Sequence, residues 1–229
     1  MIAMSITHDK VLVELGELPL TVARNGGRGA AIVIVPSAFG VAPDLELQMQ
    51  ELSSDASVVV AFDPFFRDGT GVIPYDDMTK VRQRFAGLDR ERTYRDLGAV
   101  IAWTRRQAGV ERVVVLGICF GGALAFRAAA DKLVDGVVTW HGSRMDQCLD
   151  RAADVRCPMR LHFGSVDPVV SPEVVEAVRR AFSGRKDVEI VVHEGATHGF
   201  SHRAAARVYH PGAEQAGMQA LRELVVALA

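Results

Sequence analysis

Six short apolar runs, rich in valine and isoleucine, recur along the chain at residues 31–35, 57–62, 112–117, 136–140, 159–164 and 188–192. Each is shorter than an ordinary helix, and stretches of helical period lie between them. Strands buried on both faces read as continuous apolar runs, and parallel neighbours require a crossover, usually a helix. The pattern predicts an α/β fold with a mostly parallel central sheet and helices on both faces.

The intervening segments carry helix signals of their own. Residues 44–52 follow Pro43, and residues 92–107 place Leu97, Val100, Ile101 and Trp103 on one stripe. Residues 172–182 open with Ser171 as N-cap, Pro172 at the first helical position and Glu173 in the first turn, which complements the free amides of a helix start. A last helix is expected over residues 213–228, and residues 10–14 add an antiparallel edge strand. Residues 67–89, with Gly69, Gly71, Pro74 and Asp76-Asp77, are the least regular part, a binding loop or a solvated excursion. No repeat, low-complexity tract or linker divides the chain, so residues 1–229 are expected to form a single domain.

Composition narrows the function classes. The chain has 229 residues and 49% hydrophobic side chains, enough for one large α/β core. Its 26 basic and 28 acidic residues are interspersed, leaving a net charge of −2 and no basic field for nucleic acid or an anionic membrane. Small molecules remain as ligands, and monomer or homodimer both stay open. Three cysteines, Cys119, Cys148 and Cys157, make no disulfide framework. The N-terminal MIAMSITHDK lacks a basic then apolar leader pattern, and no apolar run reaches membrane-span length. A cytoplasmic protein is expected.

In an open parallel sheet, ligands bind beyond the carboxyl ends of the strands. Three chemically capable residues lie there: Cys119 in GICFGG after the third run, Asp167 in GSVDPVV after the fifth, and His198 in EGATHGF after the sixth. Their order, nucleophile then acid then histidine, is that of an α/β-hydrolase triad. A strained strand-to-helix turn lifts a nucleophile clear of the sheet, and the free amides of the following helix favour a thiolate and an oxyanion. His198 would take the thiol proton and Asp167 would fix the imidazole tautomer. The Phe120 amide is one oxyanion-hole donor, and the Ala38 amide in PSAFG after the first run is the expected second. The bland alternative is a buried thiol in a tight turn, beside a loop histidine and an Asx turn.

These residues resemble the dienelactone hydrolase family of the α/β-hydrolase fold, through GICFGG at 117–122, GSVDPVV at 164–170 and GATHGF at 195–200. The resemblance runs over nearly the whole chain. It implies Cys119 as nucleophile, Asp167 as acid and His198 as base, in agreement with the reading above, and a carboxylic ester hydrolase that cleaves lactones and esters through an acyl-enzyme without metal or organic cofactor. Two features depart from the family pattern. Ser37 stands where dienelactone hydrolases proper carry a thiol-activating glutamate. The positions of the two arginines that hold a substrate carboxylate fall on Met78 and His202; Arg82, Arg84 and Arg203 are close enough in sequence to substitute, or are simply surface charges, the more favoured reading of each singly.

Other residues are weighed the same way. Trp140 and His141 end a strand on the catalytic side and are candidate pocket residues. Phe39, Phe65, Phe66 and Phe200 are candidates for an apolar acyl pocket, or for core. Cys148 and Cys157 read as small hydrophobes, and His141, His162 and His193 show no metal-ligand spacing. Two rivals stand beside ester or lactone hydrolysis: thioester hydrolysis on the same triad, and a non-catalytic binding or redox-sensing module that uses Cys119 as an oxidisable thiol.

Overall fold

The computed structural model describes residues 6–69 and 71–229. Residues 1–5, half of the stretch read for a leader, and residue 70 of the irregular segment lie outside it. One eight-stranded sheet runs through the molecule: β1 (Ile6–Val13), β2 (Gly16–Arg24), β3 (Gly29–Val35), β4 (Val58–Phe62), β5 (Val110–Ile118), β6 (Gly136–Trp140), β7 (Met159–Gly164) and β8 (Val188–His193). Their order is β1-β2-β4-β3-β5-β6-β7-β8, parallel from β4 to β8 and antiparallel at β1 and β2. Six α-helices accompany it among the described residues: α1 (Pro43–Leu52), α2 (Met78–Ala86), α3 (Arg90–Arg105), α4 (Gly121–Ala130), α5 (Pro172–Ala181) and α6 (Pro211–Leu228).

The pleat divides the apolar runs between two cores. On β3, Ala31, Val33 and Val35 enter the layer shared with α3 and α4, while Ile32 and Ile34 enter the layer shared with α1 and α6. All seven β3 residues are buried, so the run carries no polar side chain. The sheet's two outer strands mark where this logic ends, since β8 is only half-buried and β1 is mostly exposed.

The six anticipated runs all form strands. The edge strand expected at residues 10–14 is instead Ile6–Val13, and β2 was not anticipated. Pro19 disguised it, because proline cannot donate to a ladder. Here Pro19 faces Lys10 of β1, and the β4 pairing begins only at Leu20, so no β4 bond is lost to it. Within the irregular segment, α2 forms because the Asp77 side chain accepts from the Lys80 amide, 3.0 Å away, and caps its first turn. At α5, Ser171 occupies the N-cap position, but its hydroxyl bonds the Glu173 carboxylate and no helix amide.

The chain passes from β3 outward to β4 and then returns to the other side of β3 as β5. The connections after β3 and β5 therefore diverge from adjacent strand ends and leave a crevice between them. Ala38 lies in the first connection and Cys119 in the second.

Candidate active site

Cys119 has φ of +57°, a left-handed conformation rare for a residue with a side chain. Three backbone bonds hold it there. Its N–H donates to the Trp140 carbonyl (3.1 Å), and its carbonyl accepts from the amides of Gly122 (3.0 Å) and Ser143 (2.9 Å). The turn closes only around Gly117, where a Cβ would lie 2.4 Å from the Gly121 carbonyl oxygen. A second close approach brings the acid and histidine loops together: a Cβ on Gly164 would lie 2.3 Å from the Ala196 carbonyl oxygen.

The three residues singled out from sequence meet above the sheet. Cys119 Sγ is 3.1 Å from His198 Nε2, and His198 Nδ1 is 2.8 Å from Asp167 Oδ2. The other Asp167 oxygen accepts from the amides of Val169 (2.7 Å) and Val170 (3.0 Å), so the carboxylate is fully engaged although its side chain is 0% exposed. An acceptor-only carboxylate requires the proton on Nδ1 of a neutral His198, which turns Nε2 toward the thiol. Burial disfavours the His198 imidazolium, but the hydrogen bonds to Asp167 and to the Cys119 sulfur outweigh it and push the pKa up to about 10. This array can carry a thiolate–imidazolium pair. Among the described residues, the amides of Ala38 and Phe120 donate to no protein acceptor, as donors reserved for a ligand oxygen would.

The remaining candidates divide. A cavity of about 380 Å³ opens over the thiol, walled by Ala38, Phe39, Phe120, His202, and by Met78, Val81 and Phe85. Phe65 packs behind that wall against Phe85 and Phe120, and Phe66 lies beneath Arg67. Ser37 accepts the Phe39 amide at 3.4 Å, closing its own turn outside this cavity. Trp140 does not reach the cavity: it ends β6 pointing to the opposite core, under α6, where a Cβ on Gly217 would touch its indole. His141 and Phe200 stand one layer back. The His141 ring lies edge-on to His198 with centroids 4.8 Å apart, its Nε2 is 2.9 Å from Ser201 Oγ, and Phe200 packs behind it.

None of the three arginines weighed either as substitutes for the family's carboxylate clamp or as surface charges lines the cavity. Arg82 is exposed on α2 and reaches the Thr79 hydroxyl. Arg203 is held by Glu51 and Glu214, which tie it to α1 and α6. Arg84 is buried behind the wall and donates to the carbonyls of Ala38 (2.8 Å) and Gly71 (2.6 Å) and to Asp68 (3.0 Å), strapping the loop that bears the Ala38 amide. The cavity's guanidinium is Arg144, exposed at the mouth, with φ of +60°. It was missed in the sequence, although the loop after β6 is one of those beyond the carboxyl ends of the strands. The Val81–Phe85 wall was missed with α2, and its i, i+4 spacing is the signal that was available.

Among the described residues, no three His, Cys, Asp or Glu side chains gather as a metal site, and no helix is long and apolar enough to cross a membrane.

Comparison with known proteins bears on the family and the fold. The chain is 30% identical over 194 residues to a carboxymethylenebutenolidase of Pseudomonas sp. strain P51, covering 82% of this chain and 80% of that one. It is 27% identical over 180 residues to the carboxymethylenebutenolidase of Pseudomonas putida, covering 76% of each. Among solved structures, a dienelactone hydrolase-like promiscuous phosphotriesterase from metagenomic libraries superposes with a TM-score of 0.82 at 23% identity, covering 99% of both chains. A dienelactone hydrolase from Anabaena variabilis does so with a TM-score of 0.73 at 19% identity, again covering 99% of both. The family model described as the dienelactone hydrolase family matches residues 20–227. With a sheet, an elbow and a sequence that all point the same way, the chain belongs to the dienelactone hydrolase family and is a hydrolase of the α/β-hydrolase fold.

Proposed function

We propose that the protein is a carboxylic ester hydrolase that cleaves a small ester or lactone through an acyl-enzyme on Cys119. The observation that carries this reading is the unbroken contact chain from Sγ through the imidazole to a buried carboxylate, opening into a cavity. In the first half-reaction the Cys119 thiolate attacks the substrate carbonyl and a C–S bond forms. The carbonyl oxygen gathers negative charge between the Ala38 and Phe120 amides. The His198 imidazolium then gives its proton to the departing oxygen as the C–O bond breaks, leaving a thioester.

The second half-reaction uses the same imidazole in the opposite sense. Once Cys119 is acylated, its sulfur no longer supports the imidazolium, so the His198 pKa falls and neutral Nε2 becomes available as a base. It takes a proton from water as the oxygen attacks the thioester, and the released thiolate restores the starting pair. Asp167 holds the ring orientation through both halves. Cys119, Cys148 and Cys157 are free thiols in the fold, which fits a reducing, cytoplasmic setting.

A sensing module needs only an accessible thiolate, whereas this site also positions a base and its carboxylate. A stopped-flow assay with a short-chain p-nitrophenyl ester on wild type and Cys119→Ala separates the two, with intact mass reporting the acyl adduct. A burst and an adduct that both require Cys119 are expected. Turnover that survives Cys119→Ala removes the mechanism.

A further inference from the structure

Resting on the ester-hydrolase reading, we infer that the acyl part of the substrate is uncharged and apolar, seated against Met78, Phe39, Val81, Phe85 and Val208, and that a carboxylate in that part is rejected. Inside its mouth the cavity gives such an anion no unpaired cation among the described residues, and the Ser143 hydroxyl on its wall is a neutral donor. Met78 opens α2 with a thioether at the wall. Tyr75 has a hydroxyl, but it is spent on Asp44 at 2.7 Å. His202 lies within the wall, tilted against Tyr75 with centroids 4.8 Å apart and edge-on to Phe39, and burial holds its pKa down to about 4. It is therefore neutral at working pH and offers no countercharge.

Arg144 is the cation that a charged acyl group would have to find. It stands at the exposed mouth, where the cavity shares it and Phe120 with an adjoining surface groove. Water screens a guanidinium there, while an acyl carboxylate among the phenyl rings would lose its hydration. The cavity volume of about 380 Å³ is at the small end of ligand sites and suits a short or medium acyl chain. Each methylene buried should raise kcat/KM by roughly fourfold until the cavity is filled.

The test compares p-nitrophenyl hexanoate with the p-nitrophenyl monoester of adipic acid, which replaces the terminal methyl by a carboxylate. The expected ratio of kcat/KM is about a hundredfold or more in favour of hexanoate, since sites reject mismatched buried polarity strongly. Val208→Arg, which sets a guanidinium on a partly buried position of the wall, should narrow that ratio by tenfold or more, and Arg144→Ala should leave the ratio where it is. Equal or better use of the adipate ester overturns the inference, as does a ratio that depends on Arg144. A parallel readout needs no turnover: alkylation of Cys119 by N-hexyl-2-iodoacetamide against 6-(2-iodoacetamido)hexanoate, followed by intact mass. Faster labelling by the neutral reagent without any ester turnover sinks the ester reading and keeps the apolar subsite, and equal labelling rates sink the subsite itself.

Discussion

Arg84 offers a perturbation whose consequences for fold and rate can be separated. Its guanidinium side chain is 1% exposed, and it donates to two backbone carbonyls and a carboxylate while lying 4.4 Å over the Phe65 ring. Arg84→Met keeps much of the apolar stem and removes the donors. Stripping the buried Ala38 carbonyl of its donor costs roughly 1–3 kcal/mol, and the part-buried Gly71 carbonyl and Asp68 carboxylate add smaller losses, about 3 kcal/mol together. For a chain of this length that lowers Tm by roughly 10 °C. The substituted protein should still be folded at 20 °C.

The effect on rate follows from what those carbonyls belong to. One is Ala38, whose own amide is the proposed second oxyanion donor, and the other is Gly71, in the segment whose Ile73 amide bonds the Phe39 carbonyl. Releasing the strap lets the Ala38 amide drift from the developing oxyanion. Complete loss of such a donor costs on the order of 10²–10³ in kcat, so misplacement should cost about tenfold to a hundredfold, with KM little changed. Steady-state kinetics with a p-nitrophenyl ester at 20 °C, beside circular dichroism melting, reads both numbers. Arg84→Lys, which keeps one charge-assisted bond, should fall between. A folded Arg84→Met protein with wild-type kcat would refute the argument, because the loop would then hold its shape without the strap.

Further outcomes follow from the charges around the site. Asp167→Asn should lower kcat/KM by about 10²–10⁴ through loss of the tautomer lock, and should move the alkaline limb of the pH–rate profile to lower pH, because the Asp167 bond, with that to the Cys119 sulfur, raises His198. In wild type that limb should lie near pH 10, where the imidazolium that protonates the leaving group is lost, and a limb near 6.5 in kcat/KM would contradict the ion pair. Stability should be greatest near pH 6.5: the contribution of His198, whose pKa the fold raises to about 10, is lost as pH climbs from 6.5 toward 10, and on the other side stability falls from 6.5 toward about 4. The buried His162 and His202 are held neutral in the fold, with pKa values near 4, and the unfolded chain takes up their protons first. Each contributes on the order of 3 kcal/mol to that loss, so denaturant midpoints that do not move across this window would refute the assignment. Gly164→Ala should cost activity and stability together, since its Cβ would push the Ala196–Thr197 backbone, and His198 with it, away from Asp167.

What the sequence disclosed and what it withheld differ in the range of the interactions involved. The inner parallel strands were legible because they bury both faces, and that requirement writes itself as an apolar run; β8, half-buried at the sheet's edge, was legible from its valines and isoleucine instead. Cys119, Asp167 and His198 were legible for a related reason: a parallel sheet exposes one set of strand ends, so residues following the runs must share a surface. The pocket was not, because its walls depend on partners chosen across the fold. Arg84 and Arg203 look alike in sequence, yet one is captured by the carbonyl of Ala38 and the other by Glu51 and Glu214, and neither faces the cavity. Arg82, two residues before Arg84 on α2, turns to solvent because Val81 and Phe85 claim the inner face of that helix. Arg144 owes its place to a left-handed residue in the loop after β6, a conformation that no side-chain preference announces. Reaction chemistry is thus written in residues that obey the sheet, and substrate preference in residues that obey their neighbours. That is why the three arginines offered as substitutes by position alone lie off the cavity, while Met78 and His202 line the wall.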